Sequence, residues 1–224
     1  MTEPTALPLL VLASASPART RLLAEAGIAH TVLVSDVDED AVTARYGHPE
    51  PRDTALLLAR AKAEAVAGLE EADGALVLGC DSVFEFDGRP YGKPYEPAVA
   101  RERWQQMRGR SGVLHTGHWL IDNRSTDTDD EDASDAGAGA GTGATVGAVS
   151  SASVYFADVT DAEIDAYIAT GEPLPCAGAF TIDGRGGAFI TRVDGDPHTV
   201  IGLSVSTLRE LLAAAGLTIF DLWS

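Results

Sequence analysis

The sequence predicts an α/β protein built on a mixed sheet. Short apolar runs of strand length alternate with longer segments that carry helix caps and helical stripes. An Asp87-Gly88 pair between two strand-like runs marks a tight antiparallel hairpin. Two later runs, separated by a polar stretch, read as partner strands.

In chain order, residues 9–13 are an apolar run that reads as a buried strand. The run imitates a secretory leader, but the stretch before it has no Lys or Arg, carries Glu3, and leads straight into a helix start. Ser16 is placed to cap that helix and Pro17 suits its first position. Leu22, Leu23 and Ala26 give its stripe, and Gly27 stops it. Residues 31–35 read as a second strand, running into Asp36-Val37-Asp38-Glu39-Asp40. Asp53 is placed to cap a long Ala- and Leu-rich helix reaching Gly68. Residues 75–80 read as a buried strand that delivers Asp81 at its C-terminal end. The hairpin of 83–86 and 89–91 follows, then Gly92-Lys93-Pro94. Residues 97–108 are helical, and 113–121 form a strand carrying His115 and His118.

The composition then changes. Residues 125–150 are nearly all Asp, Ser, Thr, Ala and Gly, without the large apolar groups that offset ordering entropy. They are expected to be a disordered acidic Gly/Ala-rich insertion within one domain spanning 7–223. The strand at 153–159 pairs with the one before the insertion. Thr160 and Glu163 form a capping box for a helix ending near Gly171. Residues 188–193 are a strand, Asp194-Gly195 turns the chain into 198–201, and a last helix covers 206–215.

With 224 residues, 45% of them hydrophobic, the chain can bury a sizeable core. A formal net charge of -18 repels nucleic acids and anionic membranes, so neither is an expected partner. An anionic substrate must therefore meet a locally basic pocket. No apolar run is long enough to cross a bilayer. Cys80 and Cys176 have no metal-ligand spacing and read as free thiols of a reducing compartment, so the expected location is cytoplasmic. Among the basic residues only Lys62 and Lys93 are lysines, which singles them out as compact point charges.

Three groupings carry chemistry. The first is a strand, then Ser14-Ala15-Ser16-Pro17-Ala18-Arg19, then a helix. Free N–H groups, a positive dipole end, two hydroxyls and an arginine suit phosphate, although Ser-Pro also begins many helices with no ligand. There is no Walker A pattern around Lys93. The second is carboxylate: Asp81, with Asp38 and Glu39, follows a strand and can share Mg²⁺ or Mn²⁺. In so acidic a chain some acidic loops are only solvated, but the wholly apolar strand before Asp81 sets it apart. The third is Lys62 and Lys93, able to neutralise phosphate oxygens or to stand as surface lysines. The strand histidines have no metal spacing and read as structural.

In this order the motifs resemble the Maf family. Its Ser-x-Ser-Pro-Arg-Arg opening stands as Ser14-Ala15-Ser16-Pro17-Ala18-Arg19, with Ala18 for the first arginine, Arg19 kept, and Arg21 placed to compensate. Its Asp-Glu matches Asp38-Glu39, its helical lysine Lys62, its Gly-x-Asp-Thr Gly79-Cys80-Asp81-Ser82, and its Gly-Lys-Pro Gly92-Lys93-Pro94. Gly109-Arg110-Ser111, Thr116-Gly117 and Ala177-Gly178-Ala179-Phe180 match later segments.

The resemblance implies an elongated Maf/ITPase-like fold, with a mixed central sheet, flanking helices and a cleft between two lobes. It implies hydrolysis of the α-β phosphate bond of nucleoside triphosphates, including non-standard ones, to a monophosphate and diphosphate. It implies a divalent metal cation and allows a homodimer. Ser14, Ser16, Arg19 and Ser82 would bind substrate; Lys62, Lys93 and Asp81 would be catalytic; Glu39 and Asp81 would hold metal. Asp183 would read the base, where a carboxylate, accepting only, favours guanine-type bases such as 7-methylguanine over thymine or uracil. A catalytically weak nucleotide-binding regulator of cell division and an acidic interaction protein are the rival classes.

Overall fold

The computed structural model describes residues 9–124 and 141–224. A seven-stranded mixed sheet runs in the order β2-β1-β3-β5-β6-β7, with β4 added to β3. Its strands are β1 (Leu10–Ala13), β2 (His30–Val32), β3 (Leu76–Phe86), β4 (Arg89–Tyr91), β5 (Ser111–Asp122), β6 (Thr145–Phe156) and β7 (Ile190–Asp194). β1 is parallel to β2 and β3, and every other pairing is antiparallel. The helices are α1 (Pro17–Glu25), α2 (Glu39–Arg45), α3 (Pro51–Ala67), α4 (Pro97–Met107), α5 (Asp161–Ala169), α6 (Pro197–Ile201) and α7 (Val205–Ala214). Proline begins α1, α3, α4 and α6, where its missing N–H is no loss. The Thr160–Glu163 capping box opens α5.

Several boundaries differ from the sequence reading, each for a physical reason. The segments expected at 75–80 and 83–86 are one strand, because β5 pairs without a break from Leu76 to Glu85. Asp81 is therefore inside a strand, not at its end. β2 is His30–Val32 rather than 31–35. Glu50, not Asp53, holds the N-cap position of α3, and Asp53 lies in the first turn. Residues 198–201 are helical and not extended, capped by Asp196. The insertion expected at 125–150 is shorter at its C-terminal end. Residues 145–150 belong to β6, where Val146 and Ala148 pack on the core and Gly147 fits under Trp119. Residues 141–144 form neither helix nor strand, and 125–140 lie outside the described residues.

The two ends of that segment are fixed. Asp122, 3% exposed, accepts from Arg124 Nε at 2.8 Å, from Thr142 N at 2.7 Å and from Thr142 Oγ1 at 2.9 Å. Burial opposes its charge, but these donors outweigh it and hold the carboxyl at about 2.

Three apolar clusters meet at β3. A leucine-rich cluster includes Leu10, Leu12, Leu22, Leu78, Leu208 and Leu212. An aromatic cluster includes Phe84, Phe86, Trp104, Phe156, Tyr167 and Phe180. A small-residue layer of Val11, Ala13, Ala63, Val66 and Val77 lies under α3. Alternation along β3 explains the division: Leu76, Leu78, Phe84 and Phe86 share one face, and Val77, Gly79, Asp81 and Val83 the other.

α3 lies very close to that second face. A Cβ at Gly79 would stand 2.1 Å from Ala59 O and 2.8 Å from Ala63 N, and one at Gly117 2.2 Å from Ala55 O. Ala55, Ala59 and Ala63 repeat every fourth residue and so share one helix face. Gly79→Ala and Gly117→Ala are each expected to destabilise the fold by roughly 1–3 kcal/mol or more, since the clash is with backbone. Gly68→Ala, whose Cβ would meet only ordinary contacts at 3.8 and 3.9 Å, is expected to leave the melting temperature nearly unchanged. Calorimetric melts of the three variants check the pair against the control.

Candidate active site

β1 and β4 occupy the same edge of β3, opposite β5. β1 pairs as far as Ala13 with Gly79, and β4 resumes at Tyr91 with Phe84. On that edge Cys80, Asp81, Ser82 and Val83 have no strand partner among the described residues. The gap is a notch in the sheet between the leucine-rich and aromatic clusters. Successive side chains of a strand point to opposite faces, so Asp81 and Ser82 furnish its two sides.

On one side α3 delivers Lys62. Its Nζ lies 2.6 Å from Asp81 Oδ1 and 2.7 Å from Glu39 Oε1 on the first residue of α2. Asp81 is 8% exposed. Burial raises its pKa above the ordinary carboxylate range, with Lys62 and Arg19 opposing and Glu39 adding to the rise. Burial pulls the Lys62 ammonium down, but Asp81 and Glu39 together outweigh it and hold its pKa above the usual value. Asp38, weighed as a possible ligand, instead caps α2 by accepting from Ala41 N at 2.9 Å.

On the other side α1 delivers Arg19, 8% exposed. Its guanidinium donates to Ser14 Oγ at 2.8 Å, Ser82 Oγ at 3.1 Å and the Gly202 carbonyl at 2.7 Å. Ser82 Oγ lies 2.9 Å from Thr116 Oγ1, which donates to the Thr199 carbonyl at 2.8 Å. α1 starts at this point with no side-chain cap; Ser16 holds the N-cap position, and its N–H donates to Ser14 Oγ at 3.2 Å.

The structure thus brings together Ser14, Ser16, Arg19, Glu39, Lys62, Asp81 and Ser82. Lys93 is exposed, and among the described residues nothing bonds it to Asp81; its charge bears on the Cys176 thiol. Asp183 pairs with Arg21 of α1. Cys80, buried behind the notch, has its thiol pushed up to about 12 by burial and is inert. The strand histidines have structural partners. His118 Nε2 accepts from Ser204 N at 2.8 Å, and burial, then Arg19, lowers its pKa to about 4. His115 lies 2.8 Å from Ser151 Oγ and 3.0 Å from Glu85 Oε2.

Sequence reasoning matched Thr116 to a family segment without giving it a role and missed Gly202, because what each does depends on long-range contact. It also missed Glu172. Its carboxylate accepts from Thr181 Oγ1 at 2.6 Å, Gly186 N at 2.9 Å, Arg185 N at 3.0 Å and Tyr167 OH at 3.1 Å. These contacts fix the turn that carries Asp183. Burial works against the charge, but the four donors hold Glu172 at about 2 against 4.5 for the free group. A depressed carboxyl contributes stability above its unfolded pKa, and that contribution is lost as pH falls from about 4.5 toward 2. Glu172→Gln should therefore lower the melting temperature at neutral pH and narrow its gap to the parent protein across that acid window. Melting curves that stay parallel down to pH 2 would contradict the assignment.

Residues 9–215 match the family described as Maf-like protein. A nucleoside triphosphate pyrophosphatase of Leifsonia xyli is 53% identical over 96% of both chains. One of Streptomyces coelicolor is 51% identical over 96% of this chain and 94% of its own. One of Salinispora tropica is 51% identical over 97% and 89%. The solved structure of a dITP/XTP pyrophosphatase from Mycobacterium abscessus aligns over 93% of this chain and 95% of its own, at 12% identity and a TM-score of 0.39, too distant to bear on the site. By the family match and these relatives, the chain belongs to the Maf-like protein family.

Proposed function

We propose that this protein hydrolyses nucleoside triphosphates between the α and β phosphates, releasing pyrophosphate and a nucleoside monophosphate. The observation that carries the reading is the notch, where a buried carboxylate, a buried arginine and a lysine whose side chain is 13% exposed converge on an open sheet edge. In a chain of net charge -18, a pocket with Lys62, Arg19 and an uncapped helix start is suited to an anion. The names of the relatives describe the same activity.

Ser14, Ser16, Ser82, Arg19 and the first turn of α1 bind phosphate oxygens. Lys62 offsets the charge that develops during transfer; Lys93, exposed in the segment after β4, stands outside the bonded cluster. Asp81 orients a water and takes its proton as the water oxygen bonds to the α-phosphorus and the bond to the bridging oxygen breaks. Its raised pKa suits proton acceptance, and Oδ2 has no hydrogen-bond partner among the described residues.

A divalent cation fits the donor set. Glu39 Oε1 and Asp81 Oδ1 are both bonded to Lys62 Nζ, at 2.7 and 2.6 Å, which brings the two carboxylates side by side, and a cation would take the oxygens that the ammonium leaves free. The described residues hold no cluster of three or more metal-ligating side chains. Two carboxylates completed by substrate phosphate is how Mg²⁺ is commonly held. The ion would supply Lewis-acid stabilisation of phosphate charge.

No described helix is long and apolar enough to span a membrane, and both cysteines are free. A cytoplasmic setting follows from reading those thiols as reduced. The intact Lys62–Asp81 pair speaks for catalysis over a regulator that only binds nucleotide.

Asp81→Asn keeps size but removes the base and a metal charge. It is expected to cut pyrophosphate release about 10²-fold or more while the melting temperature stays near or above the parent's. A chelator is expected to abolish turnover and added Mg²⁺ or Mn²⁺ to restore it. Parent-like rates in Asp81→Asn would remove the assignment of the base.

A further inference from the structure

We infer that His118 is a positioning residue for Arg19: by accepting from Ser204 N it seats the segment whose Gly202 carbonyl fixes the Arg19 guanidinium in the notch. The role rests on the pyrophosphatase reading and adds to it a side chain that touches neither phosphate nor metal.

Arg19 is held on three sides. Ser14 Oγ and Ser82 Oγ are hydroxyls, free to turn toward other partners. The third acceptor, the Gly202 carbonyl 2.7 Å from Nε, is fixed by its own backbone. Gly202 lies at φ +123°, and a Cβ there would stand 3.3 Å from Arg19 Nε and 3.4 Å from Ser82 Oγ, so the chain passes close against the guanidinium. A guanidinium carries about five N–H donors, and those left over from these bonds can meet phosphate oxygens.

Gly202 sits between α6 and α7, and the sheet holds the chain on both sides of it. Thr116 and His118 alternate with Gly117, so they share the face of β5 opposite α3 and stand beside Ser82 and Cys80 of β3. Thr116 Oγ1 donates to the Thr199 carbonyl at 2.8 Å, and Thr199 Oγ1 is bonded to Ser150 Oγ. His118 Nε2 accepts from Ser204 N at 2.8 Å. Thr116, His118, Thr199 and Ser204 are all fully buried. Ser204 is the N-cap of α7, so its N–H has no partner inside the helix and depends on His118. Burial, then Arg19, keeps the imidazole pKa at about 4, which leaves Nε2 free to accept at neutral pH.

Apolar packing does not do the same work. Leu203 is buried in the leucine-rich cluster, which anchors the segment without directing the carbonyl before it, because such packing is non-directional. Without Nε2 the Ser204 N–H would be buried and unpaired, a state the chain relieves by shifting toward water or another acceptor. Gly202, two residues earlier, would move with it. Arg19 would then be left to the two hydroxyls, and phosphate would meet a guanidinium no longer fixed in place.

The test measures kcat and KM for UTP and GTP with Mg²⁺, and the dissociation constant of inorganic pyrophosphate, on the full chain. His118→Leu is expected to raise KM and weaken pyrophosphate binding about tenfold, with kcat within about threefold of the parent's, since a phosphate contact serves bound substrate and transition state alike. His118→Gln should recover most of the loss, because Gln Oε1 stands as many bonds from Cα as Nε2 does and accepts in its place. His118→Asn is one bond short, should behave as His118→Leu, and carries the test if the leucine variant does not fold. Thr160→Ala, which removes the cap of α5, is the control: it should lower the melting temperature and leave both constants unchanged. In an Arg19→Lys background His118→Leu should add less than about twofold, because its effect runs through the guanidinium. Losses that multiply in the double variant overturn the inference and leave the pyrophosphatase reading standing. So do parent-like constants in His118→Leu, or a His118→Gln variant no better than the leucine one. If pyrophosphate binds but no triphosphate is cleaved, that reading fails, and the pyrophosphate constants of the four proteins still decide for or against His118.

Discussion

The closeness of α3 to the sheet is the constraint on which the site depends. Lys62 can reach Asp81 because α3 lies directly on β3 and β5 at Gly79 and Gly117, with alanines facing them. A larger residue at either glycine would lift the helix and withdraw the ammonium from the carboxylate. The same approach seals one face of Asp81 from water, which is the burial that raises its pKa. Packing and electrostatics are here one fact. A stripe of small residues, with little to contribute to hydrophobic stabilisation, sets the distance at which the charges meet.

The second organising feature is the division of labour along β3. Asp81 and Ser82 are neighbours in sequence and point to opposite faces, so one strand supplies both the lysine side and the arginine side of the notch. Each then recruits a cation from a different helix, Lys62 from α3 and Arg19 from α1. Burying two cations and a carboxylate is costly unless each is bonded. The hydroxyls of Ser14, Ser82 and Thr116, with the Gly202 carbonyl, complete the arginine side.

Much of this was legible in the sequence, and the failures share one cause. The apolar run before Asp81, the Ser-Pro helix start, the Asp-Gly hairpin and the Thr160–Glu163 box are local signals that the structure reproduces. Fused β3 was missed because Asp81 and Ser82 interrupt the apolar pattern, while the partner that keeps the strand extended, β5, is distant in sequence. The start of β6 was missed because Gly147 and Ala148 look like linker residues until Trp119 is seen lying across them. Glu172 gave no signal at all, since its donors come from a turn that it helps to create. Asp183 was read as a lone carboxylate because an ion pair across 162 residues leaves no trace in local pattern.

The Asp122 clamp has a consequence for how this chain can be rebuilt. It joins Arg124 to Thr142, so the ends of the intervening segment are held by side-chain and backbone bonds of their own. The entropy of closing a loop grows only slowly with its length once its ends are pinned. Sequence can therefore be exchanged between these posts without moving the register of β5 against β6. The position suits engineering: a fluorescent reporter or an affinity handle grafted there, or a circular permutant opened there, leaves the notch and its flanking helices in their own context.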